Sequence, residues 1–168
     1  MTSRLRLLFV MARPAVIVLL GLYTVTGLTE AGSDDPWLLM RATAIVVAFL
    51  ACCVVVNDLG DEAIDRVNLP GDPAGPVASG LCTRRLFGLF GGAAAAVAAG
   101  MSALISEGVV AIVAGGLLLA LGYSLRPVRL ADRGAIASMV LPGVYVAVPY
   151  TVGVLSVRSA STARTSYS

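Results

Sequence analysis

An all-α, polytopic transmembrane helix bundle is the fold class this sequence predicts, and three observations carry the prediction. Apolar residues fill 58% of the 168 positions and charged residues only 13%, with a mean hydropathy of +0.90. A soluble domain of this length could not cover so much apolar surface. The apolar residues fall into five runs, each close to the roughly 20 residues that a helix needs to cross a bilayer. Finally, the arginines gather in alternate connections between those runs, the pattern of a chain that crosses a membrane repeatedly.

The runs cover residues 14–31, 36–56, 86–105, 109–125 and 135–157. Residues 1–13, with Arg4, Arg6 and Arg13 among Leu, Phe, Val and Met, read as a short amphipathic lead-in at the interface or as an extension of the first span. The first run opens at Pro14, and Arg13-Pro14 interrupts the apolar stretch before it, which argues against a cleaved leader. Tyr23, Thr24 and Thr26 are its polar residues, suited to helix packing or to the floor of a chamber. The third run carries Gly88, Gly92, Ala96 and Gly100 at four-residue spacing, a small-residue stripe expected to let a neighbouring helix approach closely. In the fifth, Pro142 and Pro149 predict a disturbed helix, with Tyr145 and Tyr150 beside them as cavity lining or interfacial anchors. The membrane domain is thus placed at residues 1–158, and the Ser/Thr-rich residues 159–168 are expected to form a polar, disordered tail.

Charge fixes the expected orientation. Nine arginines lie on one side, at 4, 6, 13, 66, 84, 85, 126, 129 and 133, against Arg41 on the other. The positive-inside rule puts the first side in the cytoplasm of a multi-pass cell-membrane protein. Several function classes drop out. The sequence has no histidine, which removes imidazole metal sites and histidine-based triads. The net charge of +2 comes from arginine alone and is too local to call for a nucleic-acid partner. Three cysteines are too few for a disulfide framework; Cys52 and Cys53 read as small buried hydrophobes and Cys82 as a free thiol.

Chemistry concentrates at the end of the second run, where residues 57–65 read Asn-Asp-Leu-Gly-Asp-Glu-Ala-Ile-Asp. Acids are costly at a membrane boundary. On a helix, Asn57, Asp58, Asp61 and Asp65 fall within about a 100° arc, with Glu62 slightly outside it. Such a wall of oxygen ligands suits a hard divalent cation held together with substrate phosphates; the plainer alternative is a solvated helix end paired with arginines. The loop after the fourth run, residues 122–134, brings Arg126, Arg129 and Arg133 close together, and guanidinium groups fork onto phosphate oxygens. An acidic and a basic loop on one face of a membrane bundle describe a site for a lipid diphosphate.

These residues resemble the UbiA-type intramembrane prenyltransferases. Asn57-Asp58-x-x-Asp61-x-x-x-Asp65 matches that family's first aspartate-rich motif, Asp65-Arg66-Val67-Asn68 with Pro70 and Pro76-Val-Ala-Ser79-Gly80 is similar to its continuation, and Tyr123-Ser124 with Pro127, Arg129-Leu130 and Arg133-Gly134 resembles its loop after the fourth span. The resemblance implies Mg²⁺-dependent transfer of a prenyl group from a polyprenyl diphosphate to an aromatic or other lipophilic acceptor within the bilayer. It implies Asp58, Asp61 and Asp65 as Mg²⁺ ligands. Asn57, Arg66, Asn68 and Arg129 would bind the diphosphate, and Tyr123, Arg126 and Arg129 would act on the reacting bond.

The sequence departs from the family pattern at Leu69, Gly75 and Pro127, where basic residues are usual, and no second aspartate-rich motif follows. The resemblance spans about the first half of a typical nine-span member. A membrane terpene cyclase on the same scaffold, or a truncated non-catalytic subunit that associates with itself or a partner, are therefore the alternative expectations.

Overall fold

The computed structural model describes residues 13–68, 70–72 and 75–165, with side chains through Ser161. All regular structure among them is helical. Helix α1 spans Pro14–Glu30, α2 Pro36–Asn68, α3 Arg84–Ala103 and α4 Glu107–Ser124. A 3₁₀ turn, Leu130–Asp132, leads into a last rod made of α5 (Ala135–Pro142), a π segment (Gly143–Ala147) and α6 (Val148–Thr165).

Helix boundaries follow local chemistry. Proline opens α1 at its first position, where its missing N–H costs nothing. Thr83 and Ser106 cap α3 and α4, each side-chain oxygen accepting a backbone N–H, from Leu86 and Val109 respectively, at 3.3 Å. Neither Pro142 nor Pro149 can donate to a preceding carbonyl, and between them the chain takes the wider π turn, with Val148 N–H donating to Gly143 O. The disturbance expected at these prolines thus takes the form of a π turn.

Among the described residues, four helices are long and apolar enough to cross a membrane: α2, α3, α4 and residues 135–161. The first expected span corresponds to α1, which at 17 residues reaches about 25 Å, short of the roughly 30 Å hydrocarbon core. Helix α2 is the longest at 33 residues, about 50 Å by rise per residue. It does not stop at Val56, where the apolar run ends, but carries the acidic segment as its last three turns. At the other end of the chain, the polar stretch expected to be disordered from Ser159 continues α6 to Thr165; residues 166–168 lie outside the described residues, as do residues 1–12 of the expected lead-in.

Helix α2 lies at the centre, packed against α1, α3, α4 and α6, while α1 pairs chiefly with α6. Phe49, Ile45, Val46, Leu20, Val113 and Val152 form the buried core between them. Glycine sets the closest approaches. A Cβ on Gly27 would run into the carbonyl of Tyr150, and one on Gly153 into that of Thr24, so α1 and α6 meet backbone to backbone. The small-residue stripe of α3 plays no such part. Gly92, Ala96 and Gly100 are exposed, and a Cβ on Gly92 or Gly100 would meet nothing, while one on half-buried Gly88 would make only an ordinary contact with Leu59 at 3.9 Å. The close contact is one residue away, at Gly91, whose added Cβ would lie 2.6 Å from Val55 Cγ1. Thr24, one of the polar residues of the first span, is fully buried and donates to Leu20 O at 2.9 Å, a packing role. Cys52, Cys53 and Cys82 are free thiols, the first two buried.

Candidate functional site

The last turns of α2 carry the acidic residues, and each meets a different neighbour. Asp58 is 7% exposed, and Arg13 Nη2 lies 3.4 Å from its Oδ1. Asp61 Oδ1 receives Arg129 Nη2 at 2.8 Å, while Asn57 Nδ2 donates to Asp61 Oδ2 at 3.2 Å. Asp65 is half-buried and faces the returning loop, the Cβ position of Gly75 falling 3.6 Å from its Oδ2. That loop is pinned by Ser79 Oγ donating to Gly75 O at 2.8 Å. Asn68 is exposed at the end of the helix.

Arg129 is the most heavily engaged residue of the site. Its side chain is 10% exposed. Nε donates to Asp132 Oδ2 at 2.8 Å, Nη1 to the carbonyls of Gly60 at 2.7 Å and Ser124 at 3.4 Å, and Nη2 to Asp61. The hydrogen bond it donates to Asp132 does most to raise its pKa above the ordinary arginine value; Asp61 adds to this and burial opposes it. Two features of the chain make this reach possible. Arg129 N–H closes a turn onto Leu125 O at 2.9 Å, and the residue sits at φ 34°, ψ 67°, a left-handed conformation that costs a side-chain-bearing residue about 1–2 kcal/mol. Gly60 has no Cβ, and one added there would strike the carbonyl of Ser124, so α2 and α4 come close enough for the guanidinium to bridge them.

Arg13 has the same signature. It caps α1 at φ 45°, ψ 59°, immediately before Pro14, a position where sterics disfavour helical dihedrals. Two left-handed arginines, one from each flank, thus reach two carboxylates of one helix. Arg13 was not among the residues singled out for the site. Its only sequence signal is its place on the arginine-rich side, and nothing local predicts a partner 45 residues away.

Below Asn57, toward the bundle interior, lies a narrow space of about 20 Å³ lined by Cys53, Asn57, Tyr123, Val144 and Tyr145 among others, room for roughly one water. Tyr123 and Tyr145, half-buried, face each other's cavity at the polar end of the core. Arg66 and Arg126 are elsewhere. Arg66 Nη2 binds Glu62 Oε1 at 2.7 Å, and both line a separate cavity with Arg84 and Arg126. The sequence-derived set therefore divides: Asn57, Asp61 and Arg129 are joined by direct contacts, Asp58 is held by Arg13 instead, Asp65 and Asn68 lie further along the same helix, and Arg66 and Arg126 line a different space that Arg129 also borders.

Among the described residues no three His, Cys, Asp or Glu side chains converge as a ready metal cage. The donor set nonetheless fits Mg²⁺ chemically, since that ion takes hard oxygen ligands and commonly uses one or two carboxylates together with substrate phosphates. Asp58, Asp61 and Asp65 supply such oxygens along one side of α2.

An all-helical integral membrane bundle with carboxylates and arginines facing one another where its central helix leaves the apolar region is a class of protein suited to a lipid with a charged head. Within that class, the model of the UbiA prenyltransferase family matches residues 15–164, and the chain belongs to this family. Membership supports a prenyltransferase-type function at the bilayer. No curated protein and no solved structure matches the chain.

Proposed function

We propose that the protein transfers a prenyl group from a polyprenyl diphosphate to an aromatic or other lipophilic acceptor within the membrane, with Mg²⁺ as its cofactor. The observation that carries this reading is the Asp61–Arg129 pair at 2.8 Å, flanked by Asn57, Asp58 and Asp65 along one side of α2. Family membership supports it.

In this reading Asp58, Asp61 and Asp65 hold the cation, which when bound offsets the negative charge of a departing diphosphate. Arg129, already anchored by Asp132 and two backbone carbonyls, presents a fixed guanidinium to the diphosphate oxygens. Fixed donors stabilise charge developing on a leaving group without having to reorganise. Asn57 and Asn68 add neutral hydrogen bonds along the same helix side. Tyr123, with Tyr145 opposite, lines the dry end of the core where an allylic carbon with developing positive charge would sit, and the surrounding Cys53, Val140 and Val144 keep water away. At about 20 Å³ the space must widen to admit a prenyl chain, and the π turn at Gly143–Ala147, which contributes Val144 and Tyr145, is the wall best placed to move. The arginine distribution supports a cytoplasmic placement of the acidic residues.

The test is release of diphosphate from farnesyl or geranylgeranyl diphosphate in membranes containing the protein, with and without Mg²⁺. Wild type should release it in a Mg²⁺-dependent manner and Asp61→Asn should not. Equal release by the two proteins would overturn the assignment. Product analysis with and without aromatic acceptors then separates transfer from internal cyclisation.

A further inference from the structure

The cavity that holds Arg66 lies on another flank of α2. Counting about 100° per residue, the middle of its lining on that helix stands about 160° around from the middle of the Asn57, Asp58, Asp61 and Asp65 arc. It has a volume of about 660 Å³ and is walled by Leu59, Gly60, Glu62 and Arg66 of α2, by Arg84 of α3, by Ser124 at the end of α4, and by Arg126 and Arg129 beyond it. That volume falls within the roughly 300–1,000 Å³ of small-ligand sites. Arg129 is already paired with Asp61 and Asp132, which leaves Arg66, Arg84 and Arg126 against the carboxylate of Glu62.

The arrangement is built rather than incidental. Glu62 is only 15% exposed and takes Arg66 on one oxygen and Arg84 on the other, while Arg84 Nη1 also donates to Leu59 O at 3.2 Å. One partly buried carboxylate therefore holds two guanidinium groups that are themselves 58% and 61% exposed. Arg129 is fixed by its contacts with α2 and Asp132, and Arg126 makes no ion pair or hydrogen bond with any described residue. Glu62 offsets only one of the charges of Arg66, Arg84 and Arg126, and the positive excess that is left favours an added anion. The first turn of α3, which begins at Arg84, adds the positive end of its helix dipole.

The geometry points to a second anion site here, one that takes a phosphate-bearing group through Arg66, Arg84 and Arg126. Its ligand is phosphate or diphosphate chemistry, supplied either as the free anion or as the headgroup of an anionic phospholipid. The site stands whether or not the acidic side of α2 carries out prenyl transfer.

The test uses the purified protein in nanodiscs, in EDTA, so that any metal-bridged binding at the acidic residues is silent. One arm titrates inorganic pyrophosphate and phosphate into phosphatidylcholine discs and reads binding and thermal stability. The other compares phosphatidylcholine discs with discs containing phosphatidylglycerol. A saturable effect in either arm supports the site and identifies its source. It should weaken about tenfold in Arg84→Gln and again in Arg66→Gln, the loss expected for one charge-assisted contact, and persist in Asp65→Asn. Both arginines are largely exposed, so neither substitution should prevent folding. No saturable effect in either arm, or equal binding by wild type and both arginine variants, would overturn the proposal.

Discussion

Arg129 and Asp61 lie 68 residues apart in the chain and meet through a 2.8 Å hydrogen-bonded ion pair that ties the loop after α4 to the acidic end of α2. Because the same guanidinium binds Asp132, Gly60 and Ser124, this pair is the hub of the site. Arg129→Lys keeps the charge but loses the fork, and a point charge cannot serve four acceptor groups at once. We expect it to lower thermal stability by about 1–2 kcal/mol and to reduce diphosphate release sharply. A double-mutant cycle with Asp61→Asn should give a coupling of about 1 kcal/mol or more; strict additivity would contradict a direct interaction.

Gly60 predicts a second effect at the same hub. An added methyl strikes the Ser124 carbonyl, so Gly60→Ala must push α4 away from α2. Overpacking of this kind costs about 1–3 kcal/mol, and here it also pulls Arg129 from Asp61. Gly92→Ala is the control, since its added Cβ meets nothing. It should be neutral or slightly stabilising by intrinsic helix propensity. Thermal unfolding in one detergent measures both.

Arg13 offers a third. Arg13→Gln leaves the nearly buried Asp58 carboxylate without its cation. A loss of about 1–2 kcal/mol in thermal stability is expected, against no change for Arg41→Gln, an exposed arginine at the other end of α2. Equal behaviour of the two variants would remove Arg13 from the site.

The α1–α6 contact gives a fourth. Gly27→Leu places a large side chain where the backbone of Tyr150 and Val154 stands, and should abolish stable folding of the bundle. Gly21→Leu, on the same helix with nothing within reach, should fold normally. Size-exclusion profiles of the two proteins decide the point.

What could be read from the sequence was what is local. Pro14 and Pro36 mark run starts by the chemistry of a single turn, and the arc of Asn57, Asp58, Asp61 and Asp65 follows from helical phase alone. What could not be read depends on partners distant in the chain. The small-residue stripe at Gly88, Gly92, Ala96 and Gly100 had the spacing of an interface, yet only Gly88 lies near α2, its added Cβ 3.9 Å from Leu59, and the tightest contact is Gly91 against Val55; spacing identifies a face but not what it touches. Arg66 follows Asp65 by one residue and so turns about 100° away from it, toward Glu62 and Arg84. Nor could the polarity of residues 57–68 show that α2 would continue through them unbroken, since acidic residues serve helix ends and loops alike.

That continuity has a mechanical consequence. The segment embedded in lipid and the segment bearing Asp58, Asp61 and Asp65 are one rod, so whatever tilts or slides the buried part moves the carboxylates by the same rigid displacement. Hydrocarbon thickness acts on long helices in this way. The height of the acidic cluster relative to the lipid tails is thereby coupled to the thickness of the host bilayer, and Arg13 and Arg129, each paired with a carboxylate of the rod, resist that travel.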